Sequence, residues 1–436
     1  MSNFCEYYLY QRYEKVGNGE WTPTYPNEYS VSGDTNDPMP LVVKRCESPE
    51  CGWYPPIYRW VDTEDTICIY NGEYAGQYLT IESVEDNNEI TWVTSGSNSS
   101  SLSTTISAST DNGISWTAYT STTGGTTIAT LNEGEKVFLK GTNAAYGTSN
   151  LGAWSSFSSN KKFNVYGNLM SLVYGDSFIN KMTIENRSAF IHLFHGSNVV
   201  DAGNLVMQAS TLAEYCYYDM FYGCQYLTVP PELPATTLAN DCYDGMFAQC
   251  TSLTTAPALP ASTLANRCYM NMFNGCTSLV NAPVLSSMTL ADWCYYLMFA
   301  GCSSLTTAPA LPATTLTNHC YENMFQGCTS LVNAPELPAL TLANNCYDEM
   351  FQGCISLRTA PTLSAETLVY YCYCRMFKDC TRLNSITCLA TNKSAASCVE
   401  YWVHNVSSSG TFTKASGVTW TRGNNGIPNN WTIQNA

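Results

Sequence analysis

Charge is scarce in this 436-residue chain: Asp, Glu, Lys and Arg make up only 12% of it, about half the ~25% of an ordinary soluble domain. Basic residues are the scarcer sign, 19 Lys and Arg against 35 Asp and Glu for a net charge of −16. A field of that sign repels phosphate backbones and anionic lipid heads, so nucleic acid is not an expected partner. No apolar run approaches the ~18–20 residues of a membrane span, which excludes membrane insertion by a helix. The first residues, Met1-Ser2-Asn3-Phe4-Cys5-Glu6, form neither a basic n-region nor an apolar h-region, so export by a signal peptide is not expected. Only four histidines occur, His192, His195, His319 and His404, and none stands in a catalytic motif. Phosphate-binding glycine loops, a Gly-x-Ser-x-Gly elbow and a His-Glu-x-x-His pair are missing as well, so the chain is not expected to be an enzyme and no cofactor is implied. His319 is expected to be exposed, and His192 and His195 to be packed or solvated rather than ligands.

What the chain has in excess is cysteine, 21 residues, together with tyrosine, 30 residues. An odd cysteine total without a secretion signal points to reduced, buried thiols rather than a disulfide scaffold. Many of these cysteines recur with a fixed period. Leu212, Leu238, Leu264, Leu290, Leu316, Leu342 and Leu368 are evenly spaced, and in each unit a Cys-Tyr pair and a Met-Phe pair follow, as at Cys242-Tyr243 and Met246-Phe247. Internal repetition at such a period is the signature of stacked units, none of which can bury its apolar face alone. Cys242, Met246 and Cys250, four apart, are expected on one face of a short helical turn, with Leu253, Ala256 and Leu259 pointing inward along an extended segment. The extended segments of neighbouring units are expected to form one continuous parallel sheet.

The frame Met-Phe-x-x-Cys-x-x-Leu, followed by Leu-Pro and Thr-Leu, resembles the leucine-rich repeats of the BspA type, common in gut Bacteroidales and in phages that infect them. The resemblance covers about Tyr166 to Leu389, and departs from the commoner pattern in having Met-Phe for Ala-Phe and a slightly longer unit. It implies a mainly β fold with short helical turns: a leucine-rich-repeat solenoid of seven units preceded by small β domains. The expected divisions are an N-terminal β-rich docking module over 1–80, a small antiparallel sandwich over 81–165, the repeats with their N-terminal cap over 166–389, and a C-terminal cap over 390–436 containing a hairpin at Asn425-Gly426. In the first module Cys5, Cys46, Cys51 and Cys68 are the one candidate zinc set, and the loose Cys46-x4-Cys51 spacing argues against it, so no metal is expected. Tyr58-Arg59-Trp60 with Cys68 resembles N-terminal modules of tail-associated proteins of Bacteroidales phages.

These resemblances imply a virion protein, a tail fibre or a tail- or capsid-associated appendage. It would join other virion proteins through the N-terminal module, assemble as an oligomer in the particle, and meet a host-surface glycan or protein through the repeats. The alternatives are a bacterial cell-surface adhesin and a purely structural decoration protein. Two stripes are the candidate binding surface. One is hydroxyl- and amide-rich and includes Thr254, Thr255, Asn281, Thr306, Thr307 and Asn333. The other is the position before each repeat's first cysteine, which differs from copy to copy: Asp241, Arg267, Trp293, His319, Asn345 and Tyr371. Variation beside invariant inward positions points to a site free of packing constraint, with Trp293 and Tyr371 as aromatic anchors. The tyrosines that follow the cysteine, Tyr217 to Tyr373, are expected to pack beneath the next unit.

Overall fold

The computed structural model describes residues 77–436 throughout and, of the first 76, only six short strands. These are β1 (Tyr10–Gln11), β2 (Tyr13–Val16), β3 (Glu20–Pro23), β4 (Val31–Ser32), β5 (Pro40–Val43) and β6 (Arg59–Trp60). They pair antiparallel in the orders β1-β5-β6 and β2-β3-β4. Cys5, Cys46, Cys51, Cys68 and Tyr58 lie outside the described residues. Met1–Gln77 and Tyr78–Ala436 are separate compact units.

The second unit opens with a sandwich. One of its sheets orders β10 (Thr117–Thr120), β9 (Thr105–Ser109), β12 (Lys136–Gly141), β7 (Leu79–Ser83) and β14 (Phe163–Asn168); the other orders β11 (Thr126–Leu131), β8 (Asn88–Ser95) and β13 (Trp154–Ser159). Alternation drives the layering: β8 buries Asn88, Ile90, Trp92 and Thr94 and leaves the residues between them outward, as a strand with one covered face must. The expected turn between β9 and β10 is held by Asp111, whose carboxylate accepts the Ser115 N–H at 2.9 Å.

β14 is where the sandwich gives way to the repeats. One of its edges pairs antiparallel with β7, and beyond its other edge it pairs parallel with β15 (Val199–Asp201) and β16 (Leu205–Val206). From there the chain winds in stacked coils, one coil to each repeat. Among the described residues helix is limited to one turn where the coils begin, α1 (Ser171–Tyr174), and short 3-10 segments, and none is long and apolar enough to cross a membrane.

The expected helical turns are not α-helical. In the coil from Asp241 to Cys250 the N–H groups of Asp241, Tyr243, Gly245, Phe247 and Gln249 donate to carbonyls of the next coil, at Asn266, Cys268, Met270, Met272 and Asn274, over 2.7–3.1 Å. The N–H groups between them close tight turns backward, Met246 to Tyr243 and Cys250 to Phe247. Every fourth residue, Asp241, Gly245 and Gln249, has φ near +60°. That left-handed residue reverses the local curl, so the chain advances flat and spends half its donors sideways instead of on an i−4 ladder. Cys242, Met246 and Cys250 do share one buried face, because the turn repeat is four residues.

The extended segments also differ from expectation. They make single parallel pairings, such as Thr255 with Asn281 and Thr263 with Thr289, not a continuous sheet, since the prolines at 257, 283, 309 and 335 remove ladder donors. The C-terminal cap is not a hairpin. Strands β17 (Ser385–Cys388), β18 (Thr411–Lys414) and β19 (Thr432–Asn435) are parallel, because each is reached by a full turn of chain and therefore runs the same way as the one before.

Inside the stack, identical residues meet. Phe221 to Phe377 stack at 5.7–5.8 Å between ring centroids, and Tyr217 to Tyr373 at 5.5–6.1 Å. The phenylalanine column extends through Phe194 and Phe157 to Trp92 in the sandwich, and through Trp402 in the cap. Sandwich and coils therefore share one core, and the sandwich seals the first coil as a terminal cap must. The thiols of Cys224, Cys250, Cys276, Cys302, Cys328, Cys354 and Cys380 each donate to a phenylalanine carbonyl of the preceding coil at 2.9–3.1 Å.

Two outcomes are expected. Phe299→Ala opens a cavity in a continuous column and lowers unfolding free energy by about 3–5 kcal/mol, measured by denaturant titration; an unchanged midpoint means that the column is not core. The seventeen described cysteines, all free and buried, resist a thiol reagent in the native protein and react on denaturation; thiols that remain blocked in denaturant contradict this.

Candidate functional site

The residue before each first cysteine is one of the left-handed positions. Asp241, Arg267, Trp293, His319, Asn345 and Tyr371 have φ between 55° and 60°, in a region that costs a side chain roughly 1–2 kcal/mol. The backbone there is thus fixed by the sideways ladder even though the side chain varies. Not all six are exposed. Asp241 is buried, the others are half-buried, and His319 is among the half-buried.

Four of the six are brought into one rail along the stack. Arg187 lies over the Tyr215 ring at 4.5 Å, the Tyr215 hydroxyl favours the ionised form of the neighbouring Asp241, and Asp241 faces the Arg267 guanidinium at 4.0 Å. Arg267 in turn lies over Trp293 at 4.9 Å, and Trp293 stacks on His319 at 4.4 Å, whose ring nitrogen bonds Glu322. Arg267 comes from the coil before Trp293 and His319 from the coil after, so both faces of the indole are occupied. Only its edge is offered to a partner. Asn345 and Tyr371 are outside this rail: Asn345 donates to Asp348 and Tyr371 packs against Tyr370, which is 49% exposed.

Thr254, Thr255, Asn281, Thr306, Thr307 and Asn333 are all exposed, with the pairings Thr255–Asn281 and Thr307–Asn333. Their stripe is less polar than expected. Val280 and Val332 alternate with Thr254 and Thr306, and Val284, Met288 and Leu340 on the same extended segments are exposed at 80%, 55% and 68%.

One further column and one set of carboxyls were missed in the sequence. Asn240, Asn266, Asp292 and Asn318 each offer a side-chain oxygen to the N–H at the same place in the next coil, over 3.0–3.3 Å. Their recurrence just before the variable residue is the signal that could have revealed them. The second set consists of carboxylates tucked between coils: Asp219, Asp244 and Asp348. Burial pushes Asp219 up to about 7, Asp244 up to about 8 with the Asp219 charge adding to the effect, and Asp348 up to about 7. The Asp219 carboxylate lies over Gly245, in the space a Cβ would take; the left-handed turn does not itself require glycine, since Asn271, Leu297 and Asn323 hold the same position in later coils. Asp244 and Asp348 are buried and stand two residues after the first cysteine of their units, while Asp219 is half-buried and stands three after its own; both positions carry other residue types in other units, so nothing in the sequence marks them.

At the first coil, Asp219 faces His192 at 3.8 Å. Burial pushes the His192 imidazole down to about 3 and His195 down as well, and Trp154 packs on His192 at 4.1 Å. His192 and His195 are therefore packed groups, linked Nδ1 to Nδ1 at 3.2 Å. Among the described residues no cluster of three or more His, Cys, Asp or Glu side chains is arranged to hold a metal ion. Comparison with protein-family models, curated proteins and solved structures gives no match.

A carboxyl raised on folding keeps its proton after the unfolded chain has lost its own, so between the ordinary value of 3.8 and about 8 Asp244 lowers stability progressively as pH rises. Asp244→Asn removes that cost. The variant should gain about 1–3 kcal/mol over the parent at pH 8 and much less at pH 5, read from denaturant midpoints; an equal difference at both pH values contradicts the buried-acid assignment.

Proposed function

We propose that this protein is a binding appendage rather than an enzyme: a leucine-rich-repeat solenoid whose outward columns meet a partner laid along several coils, attached elsewhere through the unit Met1–Gln77. The observation that carries the reading is the contrast within each coil. Inward residues repeat almost unchanged, while the first left-handed position of each coil changes along the run Asp241, Arg267, Trp293, His319, Asn345 and Tyr371, and four of these form a mixed charged and aromatic rail. Because the rings of that rail stack on one another, the surface suits an extended partner that reads edges and hydrogen-bonding groups, such as a protein or a glycan chain lying flat, better than a single sugar stacked on one exposed ring face.

The setting we propose is a phage particle, with the appendage as a tail fibre or a tail- or capsid-associated protein carrying its repeats toward the host surface. The resemblance of the repeats and of Tyr58-Arg59-Trp60 to proteins of Bacteroidales phages supports it. So does a low-charge surface, which leaves hydrogen bonding and shape, not electrostatic steering, as the means of recognition. The repeat resemblance alone favours a second setting, a bacterial cell-surface adhesin. Mass spectrometry of purified particles separates the two: the protein appears at stoichiometric amounts in virions under the first, and only in envelope fractions under the second.

Replacing Trp293 and Tyr371 together by Ala tests the binding surface. Both are half-buried outward residues, so the thermal midpoint should fall by only a few degrees, in line with about 1 kcal/mol, while attachment to host cells weakens at least tenfold. Undiminished attachment by a folded double variant removes this face as the receptor site.

A further inference from the structure

The cap beyond the last coil holds a hollow that the array reading does not use. Its volume is about 160 Å³, and it lies between the segments 403–408 and 423–430. Its walls are fixed from behind. The Trp431 indole donates to the Ser407 carbonyl at 2.8 Å, Arg422 donates to the Pro428 and Trp431 carbonyls at 2.8 Å each, and the Trp402 indole donates to the Gly426 carbonyl at 2.8 Å. All three donors come from groups wedged behind or beside the loops, so the loops are held without using the side chains that face the hollow.

The polar side chains lining it are Asn405, Ser407, Ser408, Asn424, Asn429 and Asn430; the Asn405 amide is committed to the Asp379 carboxylate at 2.9 Å, which leaves the other five side chains to face the hollow. Three amides and two hydroxyls therefore present donors and acceptors of both kinds around one space. No charged residue lines it, so it offers a carboxylate or phosphate no cation, and a hard divalent ion no carboxylate. Val403 and Val406 supply a small apolar patch. One water needs only about 10–15 Å³ of such space, so the hollow holds several, the scale of a single sugar ring.

We propose that this hollow is a binding site for one neutral sugar residue, with the amides of Asn424, Asn429 and Asn430 bridging its vicinal hydroxyls and Val406 under its C–H face. The site rests on the cap alone and stands or falls separately from the array. The test is saturation-transfer NMR on the full chain with free galactose, glucose, mannose and N-acetylglucosamine as probes. At least one of them should receive saturation from the protein, and the variant Asn424→Ala/Asn430→Ala should weaken that binding at least tenfold. A second variant, Asn429→Arg, fills the hollow from an exposed position and should abolish the transfer without lowering the thermal midpoint, which covers the case in which the double variant unfolds. No transfer to any of the four sugars, or transfer undiminished in a folded variant, overturns the site. Cell attachment measured in parallel reports on the array, so loss of one property with retention of the other shows which reading failed.

Discussion

Every coil of this molecule depends on a backbone bond that runs sideways. Between Asp241 and Gln249 alternate N–H groups leave their own turn and reach carbonyls of the next coil, from Asn266 to Asn274. Each buried N–H needs a partner, and an α-helix would have satisfied these within the segment. Sending them outward instead ties each coil to the next and requires a left-handed residue every fourth position. Stacking then follows without further design: equivalent residues lie one above another, so a good inward choice in one coil is a good choice in all. The repeated Cys-Tyr and Met-Phe pairs, the ring columns and the thiol-to-carbonyl bonds are consequences of that register.

The same register sorts the outward residues. A position whose backbone is fixed by the ladder but whose side chain points away from the core can change from Asp241 to Arg267 to Trp293 without disturbing the frame. Neighbouring choices still feel one another, because the coil spacing brings Arg267, Trp293 and His319 into face contact. Side chains at these positions therefore pack in runs rather than singly, and only the run's edge is open to solvent. Where the run turns acidic and closed over, as at Asp219 and Asp244, burial holds protons on carboxyls that would be ionised in water.

Much of this was legible in the chain. The even spacing from Leu212 to Leu368 marked the unit, and the invariance of Cys, Tyr, Met and Phe marked the core. The alternating strands around the Asp111-Asn112-Gly113 turn marked the sandwich. What the sequence hid was the local conformation. A four-residue spacing of Cys242, Met246 and Cys250 fits a helix and a chain of tight turns equally, and glycine, the usual sign of a left-handed residue, stands at only one of the three such positions in most coils. Asp241 read as exposed because it varies, yet packing between Tyr215 and Arg267 buries it. The cap read as a hairpin because Asn425-Gly426 is a turn signal, whereas strand direction is set by the length of chain between β17, β18 and β19. The hollow in the cap has no sequence signature at all, since its asparagines are ordinary loop residues until the two indoles and Arg422 draw the loops together.

Amide hydrogen exchange tests the sideways ladder most directly. The N–H groups of Phe247, Phe273, Phe299, Phe325 and Phe351, each bonded to the next coil and buried, should exchange only through global unfolding, with one common free energy that equals the denaturant value. If these five exchange at the rates of local turn opening, or with free energies that differ from coil to coil, the coils are not joined by that bond and the stack described here is wrong.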